Sequence, residues 1–500
     1  MQHCPSFAAL DLGSNSFRLE IGQLDNGRLR QVTYIKETVR QGQGLDADHI
    51  LSNEAMERGW ACLARFGERI AGLHPDHVRA VATQTLREAS NRDVFLSQAR
   101  DILGFPVEVI SGREEARLIY LGVSHLLPDS DERRLVVDIG GRSTEMVLGQ
   151  RHVPQTLASY RIGSAAWSMA YFPDGRWTSD AFKTAEIAAK AVLDEALSAY
   201  PREHWDKAYG ASGTIGAVAD ALQAHGWPQG TITPEALDWL QDKLVKAQHP
   251  AKLRLEGLKD DRKPVLGGGL AVLRAVFDLL QIETMHPAQG ALRHGALFDL
   301  LARENPHTDV RTRMIDWLAQ HFSTDVTQAE RVSRTAQHLF GQAIGDNRSE
   351  AAVCSSCQLQ WAAQVHEIGK QISHSNYHKH GAYILENTDL QGFTVDELHR
   401  LGLLVLGQRG KLNKMQAPVH DAAFVLQWLC LRLAVILCHA RCEPDLAGIR
   451  LKQAIPGKVF ELAMPQKWQC EYPQSAHLLR EESAAWPKIG IRLDLRPGTT

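Results

Sequence analysis

Two carboxylates flank a glycine turn in the stretch Leu135-Val-Val-Asp-Ile-Gly-Gly-Arg-Ser-Thr-Glu145-Met-Val-Leu-Gly-Gln150. Val and Ile favour buried, extended backbone, so the stretch reads as strand, turn, strand. Gly140 and Gly141 let the backbone take positive φ or approach a ligand closely. A hairpin folded at residues 140–143 brings Asp138, at the end of one strand, and Glu145, at the start of the next, to one mouth. Exposed N–H groups in such a turn form a nest for phosphate oxygens. Carboxylates beside a phosphate suit Mg2+, which prefers oxygen ligands and keeps several of its waters.

The stretch has an earlier counterpart. Asp11-Leu-Gly-Ser-Asn-Ser-Phe-Arg-Leu-Glu-Ile-Gly-Gln23 aligns with residues 138–150 without a gap. Asp11 matches Asp138, Gly13 matches Gly140, and Ser16 matches Ser143. Two copies of strand, turn and strand suggest a duplicated α/β fold with a phosphate loop in each half; two ordinary hairpins in one sheet are the plainer alternative.

Other polar positions gather around these turns. Arg87 is expected in the first turn of a helix after the strand 78–82, where a cation opposes the macrodipole; it suits either phosphate binding or a plain surface site. Ser111 caps the next helix and Glu114, three residues on, fits a capping box, which leaves Glu115 without a structural task. Ser164 lies in a glycine loop at 160–166, and Gly213 in a glycine-rich turn opening a helix, a ready anion site. Gly267-Gly-Gly starts another helix, and 290–301 a last one. Farther on, His366, His374, His378 and His380 resemble a metal cluster, but His366 is followed by Glu367 where a His-Asp pair is wanted; a binding or structural role fits better. Arg409, Lys411 and Lys414 put three cations on one loop, which could guide a polyanion or face solvent.

The elements that must position these residues follow from pattern. Strands are expected at 7–10, 17–24, 28–36, 78–82 and 107–110, and a helix from Ser52 with Met56, Trp60, Leu63 and Phe66 on one face. A helix is expected at 180–200 and a strand at 207–209. Pro306 marks a boundary, after which helices dominate at 310–322, 327–344, 352–368, 395–406 and 422–440, before an alternating tail from 451 reads as a small sheet. Five hundred residues exceed one core, and 44% apolar with 23% charged residues is a globular composition. A net charge of −3 gives no field for nucleic acid or an anionic membrane. The apolar run 422–438 is broken by Gln427 and Arg432, which makes it a buried helix rather than a span. No signal peptide is evident, and eight scattered cysteines, with one CxxC at Cys354 and Cys357, fit a reducing cytoplasm.

Taken together, Asp11-Leu-Gly-Ser-Asn-Ser16, Ala82-Thr-Gln-Thr-Leu-Arg-Glu-Ala89, Ile110-Ser-Gly-Arg-Glu-Glu-Ala-Arg-Leu-Ile-Tyr120, Val137-Asp-Ile-Gly-Gly-Arg-Ser-Thr-Glu145 and Ala211-Ser-Gly-Thr-Ile-Gly216 resemble the exopolyphosphatase / guanosine pentaphosphate phosphatase family, as does the stretch from His366 to Leu385. The resemblance implies two ribonuclease-H-like domains of the actin and sugar-kinase superfold, at 1–124 and 125–303. It also implies a helical HD-like domain at 304–445, a small α+β domain at 446–500, and a homodimer. It implies Mg2+-assisted release of the terminal phosphate of inorganic polyphosphate, with conversion of pppGpp to ppGpp as the alternative. A kinase of the same superfold and a non-enzymatic alarmone sensor are more distant readings. Residue by residue, Glu115 matches the family's general base, and Asp138 and Glu145, with Asp11 as the counterpart in the first copy, match its metal carboxylates. Ser14, Asn15, Ser16, Arg87, Gly140, Gly141, Ser143 and Thr144 fall where the phosphates are held. Arg142 replaces a glycine of many members, and either adds a phosphate contact or points to solvent. A requirement for a monovalent cation stays open.

Overall fold

Strand β1 (Ser6–Leu12) is buried along nearly its whole length, because apolar side chains occupy both of its faces. It turns through residues 13–15 into β2 (Ser16–Asp25), which pairs antiparallel with β3 (Arg28–Thr38). Helix α1 (Asn53–Ile70) follows, capped by the Ser52 hydroxyl, which accepts from the Ala55 N–H at 3.3 Å. Next come β4 (Val78–Ala82), the short α2 (Gln84–Glu88), α3 (Arg92–Leu103), β5 (Val107–Val109) and α4 (Gly112–Leu126). The sheet runs β3-β2-β1-β4-β5, with β4 and β5 parallel to β1.

The same plan is then repeated. It comprises β6 (Arg133–Ile139), β7 (Thr144–Gln150), β8 (Val153–Tyr160), α5 (Ser164–Tyr171), α6 (Ser179–Val192), α7 (Ala196–Ala199), β9 (Lys207–Ala211), α8 (Ser212–Ala224), α9 (Pro234–Ala247), α10 (Lys263–Leu279), β10 (Met285–Pro287) and α11 (Leu292–Arg303). Its sheet runs β8-β7-β6-β9-β10, the same order as the first strand for strand, with the same succession of antiparallel and parallel pairs. The duplication suggested by the two hairpins thus extends to whole sheets. The triplet Gly267-Gly-Gly, expected to begin a helix, lies inside α10. A Cβ on Gly268 would come within 2.3 Å of the Ser168 backbone nitrogen, so these glycines let α10 pack closely on α5.

Helices α4 and α11 exchange places. Helix α4 follows the first sheet but packs on β7 and β8 of the second, whereas α11 follows the second sheet and packs on β1. The boundary expected at 124/125 therefore falls inside α4. The two helices touch almost backbone to backbone, since a Cβ on Gly295 would sit 1.8 Å from the Leu118 carbonyl oxygen. Residues 5–25, 28–303, 309–388, 390–415 and 418–498 are described in this computed structural model, and the chain divides into units of residues 1–308 and 309–500.

The second unit contains α12 (Val310–His321), α13 (Val326–Ile344), α14 (Glu350–Gln364), α15 (Tyr377–Asn387), α16 (Val395–Gly407) and α17 (Ala422–Leu437). A sheet of β11 (Arg450–Ile455), β12 (Val459–Met464) and β13 (Arg492–Pro497) follows, with α18 (Gln466–Glu471) and α19 (Pro473–Ala485) between its last two strands. The tail thus combines the expected small sheet with two helices. One apolar core joins α17, including Phe424, Trp428 and Leu433, to Phe460, Leu462 and Leu493 of the sheet.

Candidate active site

The turns of the two hairpins meet. A Cβ on Gly141 would contact the Ser14 Cβ at 3.3 Å. Behind the first turn, the Val39 and Arg40 N–H groups donate to the Asn15 carbonyl and the Gly42 N–H donates to that of Ser14 at 2.8 Å. The Ser14 hydroxyl accepts from Thr85 at 2.8 Å. Behind the second turn, the first N–H groups of α5 donate to the carbonyls of Gly140 and Gly141 at 2.9 Å. Each turn is thus fixed from outside, and the two line one cavity through Ser14, Asn15, Ser16, Gly140, Gly141 and Ser143.

Glu115 faces the same cavity from the first turn of α4 and is 7% exposed. Burial pushes its carboxyl up to about 7; Arg87 opposes the rise, and the charge of Asp11 adds to it. Arg87 lies in the last turn of α2, not the first turn of a helix as expected, so its charge agrees with the macrodipole. Its guanidinium does not line the cavity. It donates to the Ile110 carbonyl at 2.6 Å, the Gln84 amide oxygen at 3.1 Å and the Glu115 carboxylate at 3.3 Å. Arg87 therefore holds the carboxylate from behind.

The neighbouring Glu114 does more than the capping reading allowed. Its N–H donates to the Ser111 hydroxyl at 3.1 Å, but its fully buried carboxylate is taken by Arg117 at 2.7 Å and Arg79 at 3.4 Å. Both arginines also bind Asp299 of α11, at 2.6 and 2.5 Å. Surrounded by these guanidinium groups, Asp299 is held far below the usual carboxylate range in spite of its burial. Removing one member of such a buried network strands the remaining charges, so the set fixes the start of α4 and, with it, Glu115.

Asp138 and Glu145 are directly opposite in the β6–β7 ladder. Burial pushes Asp138 up to about 7, with Arg18 opposing and Glu115 and Asp11 adding. Glu145 is raised well above the ordinary range by burial and by Glu115 and Asp138, although the Ser159 hydroxyl donates to it at 2.8 Å. Adjacent buried carboxylates that resist ionisation are the setting a divalent cation relieves. Among the described residues no three His, Cys, Asp or Glu side chains form a metal-holding group. That donor set still fits Mg2+, which takes one or two carboxylates and completes its shell with water and phosphate oxygens. Asp11, expected with the metal carboxylates, lines the same cavity and accepts from Arg18 at 2.7 Å.

The remaining candidate residues divide between the cavity lining and its surroundings. Arg142 does not line the cavity; it donates to Glu88 at 3.1 Å and to the Gly42 carbonyl at 3.3 Å, as a strut between the loops. Thr144 is fully buried and its hydroxyl donates to the Ile162 carbonyl at 2.6 Å. Ser164 lines the cavity, but its hydroxyl donates to the Gly140 carbonyl at 3.0 Å. Gly213 lines it too, and its missing Cβ makes room for the Arg262 guanidinium, which would stand 2.3 Å from such an atom. Arg409 and Lys411 belong to the second unit and line a basic pocket there, together with His366. The Lys414 side chain lies outside the described residues. His366 is buried, and its Nδ1 lies 2.7 Å from the Ala363 carbonyl oxygen.

Sequence reasoning missed four cations and an aromatic ring on this cavity: Arg18, Lys36, Arg262, Arg293 and Tyr34. Arg18 and Lys36 are directly opposite across β2 and β3, an unfavourable like-charge pair in a sheet. Burial, Arg262 and Arg18 together bring Lys36 down to about 8. Such crowding is costly without an anion. The signal was available, because 18 and 36 occupy one face once the register is known.

A family model described as the Ppx/GppA phosphatase family matches residues 21–304, and one described as Ppx/GppA phosphatase, domain III, matches residues 310–483. The chain belongs to the Ppx/GppA family. Its relatives include two proteins named guanosine-5'-triphosphate,3'-diphosphate pyrophosphatase. The protein of Pseudoalteromonas translucida (strain TAC 125) is 38% identical over 97% of both chains. That of Vibrio atlanticus (strain LGP32) is 37% identical over 98% of both. Among solved structures, an exopolyphosphatase-like protein has a TM-score of 0.54 at 28% identity, covering 60% of this chain and 98% of its own. The Aquifex aeolicus member of the Ppx/GppA family has a TM-score of 0.51 at 25% identity, covering 60% and 99%. The protein is thus a mixed α/β member of a family of hydrolases acting on phosphoanhydrides. Among the described residues no helix is long and apolar enough to cross a membrane.

Proposed function

We propose that the protein hydrolyses the terminal 5′ phosphoanhydride of pppGpp, giving ppGpp and phosphate. The observation that carries this reading is likeness over 97–98% of the chain to two relatives named for that substrate class. It reverses the order expected from sequence, which put inorganic polyphosphate first. The exopolyphosphatase-like neighbour covers only 60% of this chain.

The geometry supports the chemistry. A phosphoanhydride already has a good leaving group, so catalysis is mainly positioning and charge stabilisation. Glu115, with a carboxyl near neutrality, can accept a proton from water, and Arg87 holds it in place. The turns at 13–16 and 140–143 seat the terminal phosphate, while Arg18, Lys36 and Arg262 offset the charge behind it. Asp138 and Glu145 would hold Mg2+, which when bound neutralises phosphate oxygens. We read the first unit as two ribonuclease-H-like halves, and the second as an HD-like helical part with a small terminal sheet. A cytoplasmic homodimer is part of the same reading.

The test is phosphate release from pppGpp and from long-chain polyphosphate, side by side, with Mg2+ or chelator. Release from pppGpp is expected to dominate and to need the metal. Glu115→Gln is expected to lower it about 10³-fold, within the usual range for a general base. Near-normal turnover by that variant would place the chemistry elsewhere, and preference for polyphosphate would restore the other substrate.

A further inference from the structure

Beyond its catalytic end, the cavity changes character along the edge of the first sheet. The register places Asp11, Arg18 and Lys36 in one row across β1, β2 and β3. One step farther from the turn, on the same face, Ala9, Glu20 and Tyr34 form the next row. Alternate residues of a strand are roughly 7 Å apart, so Tyr34 stands about one phosphate-to-ribose distance beyond the cation pair. It lines the same cavity as Glu115 and is 44% exposed. The ring thus stands open on an edge strand, in the cavity that four cations also line.

The ring is nevertheless held. The Arg293 guanidinium lies over it, 4.6 Å from the centroid. Arg293 is itself fixed by donating to Glu20 at 2.5 Å, and His294 stands 3.2 Å from the same carboxylate. One face of Tyr34 is thus covered by a planar cation anchored from α11. A second planar group stacked on such a pair gains from both the ring and the adjacent charge.

We infer that Tyr34, backed by Arg293, is the platform on which the purine base of a nucleoside oligophosphate stacks, and so the feature that selects a nucleotide over a bare phosphate chain. This rests on the pppGpp reading and adds a specificity residue to it. The phosphates run from the two turns past Arg18 and Lys36, and the base reaches the Tyr34 row. Inorganic polyphosphate satisfies the cations but gains nothing from the ring.

The test is equilibrium binding of pppGpp and of inorganic tripolyphosphate to full-length Glu115→Gln protein, with Tyr34 intact or replaced. Tyr34→Ala is expected to weaken pppGpp about tenfold, in the range for loss of one base–aromatic stack. Tripolyphosphate affinity is expected to stay within twofold, and Tyr34→Phe to behave as the parent. Equal loss for both ligands, or no loss for either, overturns the platform. Binding is read without turnover, so the outcome is separate from the phosphate-release assay: a parent that hydrolyses pppGpp but binds it indifferently to Tyr34 sinks only this inference.

Discussion

The two hairpins at the cavity share a sequence pattern, a sheet order and a register, yet they carry opposite charges at one ladder position. In the first, Asp11 stands opposite Arg18, and the buried carboxylate and partly exposed guanidinium pair at 2.7 Å. In the second, Asp138 stands opposite Glu145, and both carboxyls are pushed above their ordinary range. The single change from Arg18 to its counterpart Glu145 turns an ion-paired ladder position into two facing carboxylates. Duplication supplied the scaffold, and divergence at one ladder position divided the labour. One hairpin presents a guanidinium to the cavity, and the other presents two carboxylates.

Asparagine at the two matched aspartates should therefore have opposite effects. Asp11→Asn leaves the partly exposed Arg18 without its carboxylate and should destabilise the first unit by about 3 kcal/mol, the low end for breaking a largely buried pair. Denaturant unfolding with chelator at pH 8 reads this directly. Unchanged stability would mean that Arg18 is satisfied by other groups and that the contrast between hairpins is weaker than drawn.

Asp138→Asn should instead stabilise the metal-free protein at pH 8, by roughly 2 kcal/mol. The sign follows from the raised carboxyl. Between the ordinary aspartate value of 3.8 and about 7, folded Asp138 holds a proton that the unfolded chain has released. Its contribution is complete below the lower value and is lost as pH rises through about 7. The variant's advantage in chelator should therefore be absent near pH 4, grow through pH 7, and shrink when Mg2+ is added to the parent. A constant difference across this range would show that Asp138 is not protonated in the free protein.

The smallest effect is expected at Arg142. It occupies the position matched by Asn15 but braces Glu88 and Gly42 rather than lining the cavity. A partly exposed ion pair contributes about 1 kcal/mol or less. Arg142→Ala should thus lower phosphate release a few-fold, through a looser turn, with KM for pppGpp little changed. A rise in KM of a hundredfold would return Arg142 to the phosphate-binding set.

Much of this site was written in local sequence. Glycines, β-branched strands and the spacing of Asp138 and Glu145 define the hairpins, because ladder pairing over a short turn depends on neighbours in the chain. Ser52 and Ser111 were legible as caps for the same reason. Glu115 could be singled out because Glu114 had a local role to fill. That inference singled out the carboxylate that lines the cavity through an incomplete premise, since Glu114 serves chiefly the buried network with Arg79, Arg117 and Asp299.

What the chain alone determined was the set of short-range events: which segments extend, where they turn, and which acidic and glycine residues share a turn. Only the tertiary structure decided that Arg142 and Thr144 face away, that Arg87 stands behind Glu115, and that Arg18, Lys36, Arg262, Arg293 and Tyr34 converge on one cavity. The reason is physical. Arg262 and Arg293 reach the cavity from elements more than two hundred residues away from Arg18. Placing them requires the crossover of α4 and α11 and the close approach permitted by Gly213 and Gly295, both of which depend on long-range packing rather than on local pattern.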